Sequence, residues 1–479
     1  MRGVKEGDIA ASGLRRLAVA AAMATPLLLT ALVGVRLFSM HGSMGLFRAS
    51  PGVRAAWLGI TCLTLLLPLV ALLLLRMSDT KRTGGGRRRI VLTVLAWCLV
   101  AAASLLPPTV YGEIASYEHR RCGDKPPLIL LDERTGEHGI PDLALVFWTE
   151  EPTRNVVEWW DEHGRRETLG EDGPSNSHCF FLRDLVPGRE YSYRVNADEP
   201  RGFTAPPAGE GLRFAVTSDP HYGRAGRDED AAAGIMRAVS CGPGRADLLF
   251  IAGDLVDRGY DDRQWCRALR ELAKGAGGIP MRVLPGNHDT MLGGFDLYRE
   301  YLLPPDGDGG KADPWCRLDR GDVHFLLLDL EWGAEDCTPE QREWLEGQLD
   351  SIPPDDWTVV LSHHYLYSSG SVAYGVKRYD DPGMISALTP LFEEKGVDLV
   401  ISGHNHHMEL LEEGGVTYAV VGAMGGKLPP PFSYRSPAGS WSDTGEYGYL
   451  LVEVGRDRLE LEFRDSEGNV IHAASVGRR

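Results

Sequence analysis

The sequence has 479 residues, of which 50 are Lys or Arg and 67 are Asp or Glu, so the net charge is −17 at pH 7. This length provides two or three domains, and 43% hydrophobic with 24% charged residues excludes a disordered or collagen-like chain. The net negative charge excludes a general nucleic-acid binder, which needs a basic surface. Charge is unevenly distributed, because residues 1–110 carry a net +10 and the rest −27. A basic, apolar segment before an acidic one indicates a membrane anchor followed by a domain that lies in aqueous solution.

Residues 1–110 contain three uncharged apolar stretches, at about 17–35, 55–75 and 90–106, and we expect each to be a transmembrane helix. The N-terminal tail and the loop 76–89 hold 10 Lys and Arg residues, against 3 in the loop 36–54. The positive-inside rule therefore predicts a multi-pass protein of the cell membrane with everything after about Pro107 on the extracytoplasmic side. For the first stretch, a cleaved signal peptide is the alternative.

Residues 126–206 contain short β-prone runs separated by Gly, Pro and Asp clusters, which is typical of a small β-sandwich. The segment 182–195, LRDLVPGREYSYRV, resembles a passage of fibronectin-III-like domains that also occurs in the N-terminal domain of purple acid phosphatases. The resemblance implies a packing or spacer module. Six cysteines follow residue 110, and both disulfides and free thiols remain open.

From Gly211 onward, five short apolar runs alternate with helical segments such as 228–239 and 261–274, which predicts an α/β sheet. Each run ends in Asp, Asn or His: DPH at 219–221, GDLVDRG at 253–259, PGNHD at 285–289, SHH at 362–364 and GHNHH at 403–407. Ligands of such sheets bind at the carboxyl ends of the strands. Any one of these motifs could be a turn or a helix cap, but five in succession indicate one shared site.

The donor types indicate which ligand this site would hold. Carboxylate and imidazole together suit Mn, Fe, Zn or Co, and the absence of Cys from all five motifs disfavours a soft-metal or iron–sulfur site. The number of donors is sufficient for two ions. Two ions about 3.5–4 Å apart stabilise the attacking and leaving oxygens of a phosphoryl displacement.

The order of these motifs resembles the calcineurin-like metallophosphoesterase superfamily, and with the preceding domain it is similar to bacterial relatives of purple acid phosphatases. The resemblance implies a four-layer αββα sandwich over residues 211–465 that hydrolyses phosphoesters with two metal ions, Mn, Fe or Zn. It also implies the ligands: Asp219, His221, Asp254 and His406 for the first ion, and Asp254, Asn287, His363 and His404 for the second.

The same resemblance implies that His288 contacts the substrate or its leaving group and that Arg258 contacts the phosphate. Either His363 or His364 could be the ligand, and we choose His363 because in this superfamily the ligand immediately follows the strand and a small residue. True purple acid phosphatases have a tyrosine ligand where Asp257 stands here. They also lack a counterpart of His221, so an iron(III) charge-transfer colour is not expected.

The sequence therefore predicts a membrane-anchored phosphohydrolase that acts on phosphate monoesters or diesters by metal-activated water. Two Gly-, Pro- and Tyr-rich segments, 365–379 and 424–441, are expected to form the rim of its cleft, where four basic residues are candidate anion contacts: Lys377, Arg378, Lys427 and Arg435. Its expected partners are a phosphoester and the lipid bilayer, and its oligomeric state is open. The alternatives are a non-catalytic surface binding or adhesion protein and a lipid-directed pyrophosphatase or phosphodiesterase.

Overall fold

The computed structural model describes residues 123–135, 141–275, 278–305, 312–373 and 376–478, together with isolated helical positions between residues 24 and 100. Contacts divide the chain into residues 1–120 and residues 121–479. In the first unit, Ala71, Ala96 and Val100 form a small apolar cluster. The predicted spans 17–35, 55–75 and 90–106 lie largely outside the described residues, and no described helix has the length and apolarity that crossing a membrane requires.

The second unit begins with seven strands that form two packed sheets. Their bounds are β1 Lys125–Thr135, β2 Pro141–Thr153, β3 Val156–Asp161, β4 Arg166–Gly170, β5 Ser175–Leu182, β6 Glu190–Val195 and β7 Arg201–Thr204. One sheet has the order β1-β2-β5 and the other β4-β3-β6-β7. Inward side chains of both sheets, such as Leu145, Trp159 and Tyr191, share one core. At Leu130 and Met281 the first sheet continues by parallel pairing into the α/β part.

The α/β part starts with three parallel strands separated by helices. The elements are β8 Arg213–Thr217, α1 Glu229–Ser240, β9 Leu248–Ile251, α2 Asp262–Gly275, β10 Met281–Val283 and α3 Gly294–Leu302. The observed α1 and α2 differ from the predicted 228–239 and 261–274 by one residue at each end. The side chain of Asp228 caps α1 by accepting a hydrogen bond from the Ala231 amide, which fixes where this helix starts.

A second sheet has the order β11-β12-β13-β16-β18-β17-β19. Its elements and their neighbours are β11 Cys316–Arg320, β12 Val323–Leu327, α4 Pro339–Ser351, β13 Trp357–Ser362, β14 Ser371–Ala373, β15 Val376–Arg378, α5 Pro382–Lys395, β16 Leu399–Ser402, β17 Met408–Glu413, β18 Val416–Val420 and β19 Gly439–Asp443. Strands β14 and β15 form a separate hairpin.

The chain then returns to the first sheet with β20 Gly448–Val454, β21 Arg458–Asp465 and β22 Val470–Gly477. The expected end of the domain at residue 465 is therefore too early, because β22 pairs with β21. The sequence of β22 does not alternate clearly between apolar and polar residues, and only Val476 is buried, so it carries little strand signal.

The two sheets face each other with helices on both outer sides. Phe214 and Phe250 of the first sheet each place their ring centroid 5.0 Å from that of Phe325 in the second. One apolar cluster joins the first sheet to α1–α3, and another joins the second sheet to α4 and α5. The α/β fold expected from the alternating strands and helices is confirmed. No disulfide joins the cysteines of the described residues.

The strand directions place the predicted motifs at one edge of this sandwich. Strands β8, β9 and β10 are mutually parallel, and so are β12, β13, β16 and β18. Each of the five motifs directly follows the carboxyl end of one of these strands. The loops after β8, β9, β10, β13 and β16 consequently meet.

Candidate metal centre

The backbone at these strand ends is strained, and four of the six non-glycine residues with positive φ angles among the described residues lie there. Four of the predicted ligands adopt positive φ angles: Asp219 at 55°, His221 at 46°, Asp254 at 54° and His404 at 65°. Such conformations cost non-glycine residues about 1–3 kcal/mol each, and they concentrate at functional sites, where the surrounding structure enforces them. Backbone hydrogen bonds between the loops, such as the His221 amide to the Asp254 carbonyl at 3.0 Å, supply this enforcement.

The first donor cluster combines residues that follow β8, β9 and β16. Asp219 Oδ1 lies 3.2 Å from His406 Nε2 and 3.6 Å from His221 Nε2. His221 Nε2 lies 3.1 Å from His406 Nε2 and 3.5 Å from Asp254 Oδ2. Since Asp219 and His221 are fully buried and Asp254 is 2% exposed, water cannot solvate these donors freely.

The second cluster combines residues that follow β9, β10, β13 and β16. His363 Nε2 lies 3.5 Å from Asp254 Oδ1, 3.1 Å from Asn287 Oδ1 and 3.1 Å from His404 Nδ1. The Asp254 carboxylate thus directs Oδ2 toward the first cluster and Oδ1 toward the second. The backbone amide of His288 also donates to Oδ1, at 2.7 Å, which holds the carboxylate in this orientation.

Backbone carbonyls select the tautomer of two of these imidazoles. His363 Nδ1 lies 2.7 Å from the Ala252 carbonyl, and His406 Nδ1 lies 2.7 Å from the Lys427 carbonyl. Because a carbonyl can only accept, each Nδ1 carries the proton, and in the neutral ring Nε2 presents a lone pair to its cluster. Metal-binding histidines are commonly oriented by this kind of hydrogen bond.

The electrostatics of the two clusters favour a bound cation. Burial, followed by the charge of Asp219, raises the pKa of Asp254 well above its usual value. Burial lowers the pKa of His221 to about 3 and also lowers the pKa values of His363 and His404, so these rings are neutral ligands near pH 7. A divalent cation would remove the cost of placing two carboxylates together.

The donor set also leaves buried polar atoms that a cation would satisfy. Asp219 Oδ1 is buried and accepts no hydrogen bond from the described residues. Buried carboxylate oxygens are nearly always partnered, so an orphaned one that faces two imidazole nitrogens fits a metal ligand. Together the clusters supply carboxylate, imidazole and amide oxygen donors, and this set suits two borderline or hard divalent ions.

A layer of supporting groups holds the donor loops together. Asp289, which is fully buried, accepts hydrogen bonds from the backbone amides of Leu255, Val256 and Gly286 at 2.9–3.1 Å. It thereby links the loop after β9 to the loop after β10. At Gly286 an added Cβ would lie 2.1 Å from the Asp254 amide nitrogen, so the two loops approach closely only because this residue has no side chain.

The structure separates the paired histidines of the sequence motifs. The His364 ring packs against His404, with centroids 4.9 Å apart, but its Nε2 lies 3.0 Å from Asp381 Oδ2 and not beside a donor. His407 Nε2 lies 3.0 Å from Glu409 Oε2, so this ring also has a different partner. Of the two adjacent pairs, His363 and His406 are the members that join the clusters.

A cavity of about 620 Å³ opens above the donors. Its lining includes His288, as expected for a substrate contact, and its polar floor continues with Asp254, Asn287, His404 and His406. Two of the four rim residues proposed from the sequence, Arg378 and Lys427, line the cavity, whereas Lys377 and Arg435 do not.

Arg258 does not line this cavity, which differs from its expected role as a phosphate contact. Its Nε lies 3.7 Å from Asp257 Oδ2. The basic residue that does line the cavity on this side is Arg224, whose Nε lies 3.8 Å from Asp257 Oδ1. The sequence did not indicate Arg224, because this residue lies in a loop beyond the DPH motif. Only the close approach of this loop to the 253–259 loop brings Arg224 to the cavity.

Comparison with known proteins finds one matching family and several similar proteins. Residues 212–408 match the calcineurin-like phosphoesterase family. A protein named probable inactive purple acid phosphatase 24, from Arabidopsis thaliana, is 25% identical over 366 residues, which cover 65% of this chain and 59% of that protein. An uncharacterized protein of Mycobacterium tuberculosis is 27% identical over 369 residues, covering 63% of this chain and 67% of that protein.

A solved structure supports the fold. The purple acid phosphatase from yellow lupin seeds superposes with a TM-score of 0.63 at 18% identity, covering 74% of each chain. The chain spans about 60% of the length of the Arabidopsis relative. Residues 212–408 thus match the calcineurin-like phosphoesterase family, and the described donor clusters suit the two metal ions that purple acid phosphatase-like metallophosphoesterases use.

Proposed function

We propose that this protein is a membrane-anchored, extracytoplasmic phosphohydrolase that cleaves phosphate monoesters or diesters with two metal ions. The observation that carries the proposal is the position of Asp254. Its two carboxylate oxygens face two separate donor clusters, 3.5 Å from His221 Nε2 on one side and 3.5 Å from His363 Nε2 on the other. A carboxylate shared in this way suits two neighbouring ions.

In this proposal each cluster holds one ion. The ligands would be Asp219, His221, Asp254 and His406 for the first, and Asp254, Asn287, His363 and His404 for the second. Bound ions of this kind neutralise charge on phosphoryl oxygens and make water more acidic. The remaining groups of the cavity would position the substrate and move protons.

His288 is the proposed proton-exchanging residue. Its Nδ1 lies 2.8 Å from the Asp257 carbonyl, which fixes the proton on Nδ1 and leaves Nε2 to interact with a substrate in the cavity. Burial is the largest cause that lowers the pKa of His288 well below its usual value. The ring is therefore neutral near pH 7 with Nε2 unprotonated, and it would donate to a leaving oxygen only after Nε2 has taken up a proton.

The proposal is tested by hydrolysis assays on the chain from about Gly123 onward with a panel of phosphate monoesters and diesters. We expect activity that a chelator abolishes and that Mn²⁺, Zn²⁺ or Fe²⁺ restores, and a loss of at least about 100-fold in Asp254→Ala. Wild-type turnover that persists in chelator, or full activity in Asp254→Ala, would contradict it.

A non-catalytic binding protein is the alternative, and the name of the first Arabidopsis relative, probable inactive, favours considering it. The donor set argues against this alternative, because all seven predicted ligand side chains of the present chain meet in the two clusters. Metal-loaded protein that hydrolyses none of the panel esters would support the binding role.

We propose three parts for the chain: a membrane anchor over residues 1–110, a fibronectin-III-like domain over 126–206 and the phosphoesterase domain from 211 to the last strand. The charge distribution and the three apolar stretches support the anchor. The three- and four-stranded sheets of β1–β7 support the fibronectin-III-like assignment.

Fusion of a reporter after Val110 tests the topology. An alkaline-phosphatase reporter, which folds only outside the cytoplasm, should be active at this position. A reporter that functions only in the cytoplasm should be inactive there, and the reverse pattern would overturn the orientation.

A further inference from the structure

The cavity above the donors is larger than a phosphate group requires. Its volume of about 620 Å³ lies within the range of about 300–1,000 Å³ that is typical for whole organic ligands. The phosphoryl group would occupy the floor formed by the donors. The remaining space faces side chains that the hydrolysis itself does not use, and their chemistry indicates the rest of the substrate.

One wall of this space is apolar. Its lining residues are Leu428, Pro429, Pro430 and Phe432 of one segment and Val372 of the β14–β15 hairpin. Val372 is 55% exposed, and no large apolar side chain is more exposed within the described part of residues 123–478. An exposed apolar residue at the mouth of a cavity indicates an apolar portion of the ligand.

The same space contains two cations without acidic partners. In the part of the chain that the structure describes, no carboxylate oxygen lies within 4 Å of the side-chain nitrogens of Arg378 or Lys427. Arg224 differs, because it faces Asp257 at 3.8 Å. Two unpaired cations beside a site that would already hold two metal ions give a surplus of positive charge, which favours a ligand with a second negative group.

Hydrogen bonds and ring stacking join the β14–β15 hairpin to the chain around Tyr434, so the apolar wall forms one unit. The Gly370 amide donates to the Tyr434 carbonyl at 3.0 Å, and the Tyr434 amide donates back to the Gly370 carbonyl at 2.9 Å. The rings of Tyr379 and Tyr434 stack with centroids 4.4 Å apart. The Lys427 carbonyl also accepts from His406, so the apolar wall begins directly beside the first donor cluster. A wall fixed in this way can select substrates by shape.

We infer that the substrate is an organic phosphate whose leaving group is apolar and carries a second anionic group, with Arg378 and Lys427 contacting that second group. This inference rests on the proposed phosphohydrolase function and specifies its substrate class. The second group can be a phosphate or a carboxylate, because both accept charge-assisted hydrogen bonds from Arg and Lys.

The test compares phenyl phosphate with carboxyphenyl phosphate and with phenylene bisphosphate on metal-loaded protein. The variants are Arg378→Met and Lys427→Met, with Lys377→Met as the matched control, since Lys377 is an exposed residue of the same hairpin outside the cavity lining. The esters differ in intrinsic reactivity, but this difference is the same for every variant. A change in substrate preference between variants therefore reports contacts with the protein.

We expect wild type to have the higher kcat/KM for the doubly anionic esters, and Arg378→Met to reduce this preference about tenfold or more, mainly through KM. Lys427→Met should also reduce this preference, and Lys377→Met should leave the preference unchanged. A larger effect on the bisphosphate identifies phosphate as the second group, and a larger effect on the carboxyphenyl ester identifies carboxylate.

A separate experiment tests the apolar wall. It measures kcat/KM for cyclohexylmethyl phosphate and for methyl phosphate in wild type and in Phe432→Ala. Wild type should favour the larger ester, and the variant should lose much of that preference. Equal kcat/KM for all esters in wild type, or the same preference in Arg378→Met and wild type, would overturn the inference while leaving the phosphohydrolase function intact. Failure of wild type to cleave any ester would instead contradict the proposed function itself.

Discussion

At the scale of single residues, the site depends on which ring nitrogen or carboxylate oxygen faces which partner. His363 and His364 are adjacent in sequence but have separate surroundings. His363 Nε2 lies 3.1 Å from Asn287 Oδ1, whereas His364 Nε2 lies 3.0 Å from Asp381 Oδ2. The pleat of a strand end turns neighbouring side chains to different sides, so the pair offers a matched test of the proposed ligand set.

His363→Asn is expected to lower phosphoester hydrolysis by at least about 100-fold and to weaken metal binding, because it removes a proposed ligand. His364→Asn should lose less than about tenfold, since it removes the contact with Asp381 and ring packing against His404 but no proposed metal ligand. Activity and bound metal are measured on both purified variants. A larger loss in His364→Asn than in His363→Asn would show that the ligand is the other histidine.

Residue types showed most of the donor set in advance. The motifs that contain the donors follow apolar runs and could be recognised from the sequence, whereas the individual ligands were implied by the resemblance to calcineurin-like metallophosphoesterases. The cavity contacts were less predictable. Arg224 and Arg258 both lie in loops after motif residues, and only the packing of these loops decides that Arg224 lines the cavity and Arg258 does not.

At the scale of secondary-structure elements, a charged cluster links β11 and β12 to the turn before β13. His324, which is 5% exposed, places Nδ1 2.7 Å from Asp319 Oδ1 and Nε2 2.9 Å from Asp356 Oδ2. Burial opposes protonation, but the hydrogen bonds to Asp319 and Asp356 outweigh it and raise the pKa of His324 above 6.5. Both ring nitrogens can donate only in the imidazolium form.

The sign of the pH effect follows from this raised pKa. The stabilisation by His324 is fully present below its unfolded pKa of 6.5 and is lost as the pH rises through the higher folded value. We expect His324→Gln to lower the free energy of unfolding by about 2 kcal/mol at pH 5.5 and by less at pH 9. Denaturant unfolding at both pH values measures the difference. An equal loss at both would contradict a charged His324.

Local elements were predictable where the pattern was periodic, and less so at sheet edges. The helices α1 and α2 appear within one residue of their predicted bounds, because their apolar residues recur with helical spacing. The edge strand β22 was missed, since its single buried residue leaves no alternation to detect.

At the scale of the whole second unit, a buried ion pair connects the β-sandwich to the phosphoesterase domain. Lys125 of β1, 2% exposed, places Nζ 2.9 Å from Asp262 Oδ2 of α2. Its ammonium also lies 4.1 Å from the centroid of the Trp148 ring and 4.7 Å from that of Tyr301. The sequence could not show this contact, because its partners are 137 residues apart and neither belongs to a motif.

Lys125→Ala is expected to lower the free energy of unfolding by about 3–5 kcal/mol, because it leaves the fully buried Asp262 carboxylate without its cation. Lys395→Ala, which removes a solvent-exposed pairing with Asp350, is the control and should change stability little. Guanidinium unfolding of both variants gives the comparison. A Lys125→Ala protein as stable as the control would mean that the pair does not hold the two parts together.

The central claim is that five strand-end loops of one domain meet to hold two metal ions. Native mass spectrometry of the protein, loaded with Mn²⁺ or Zn²⁺ and then freed of excess metal, tests this claim most directly. The account predicts two bound ions per chain for wild type and fewer for Asp254→Ala, in which both clusters lose a shared ligand. Wild-type protein that retains no metal, or an Asp254→Ala variant that still retains two ions, would contradict it.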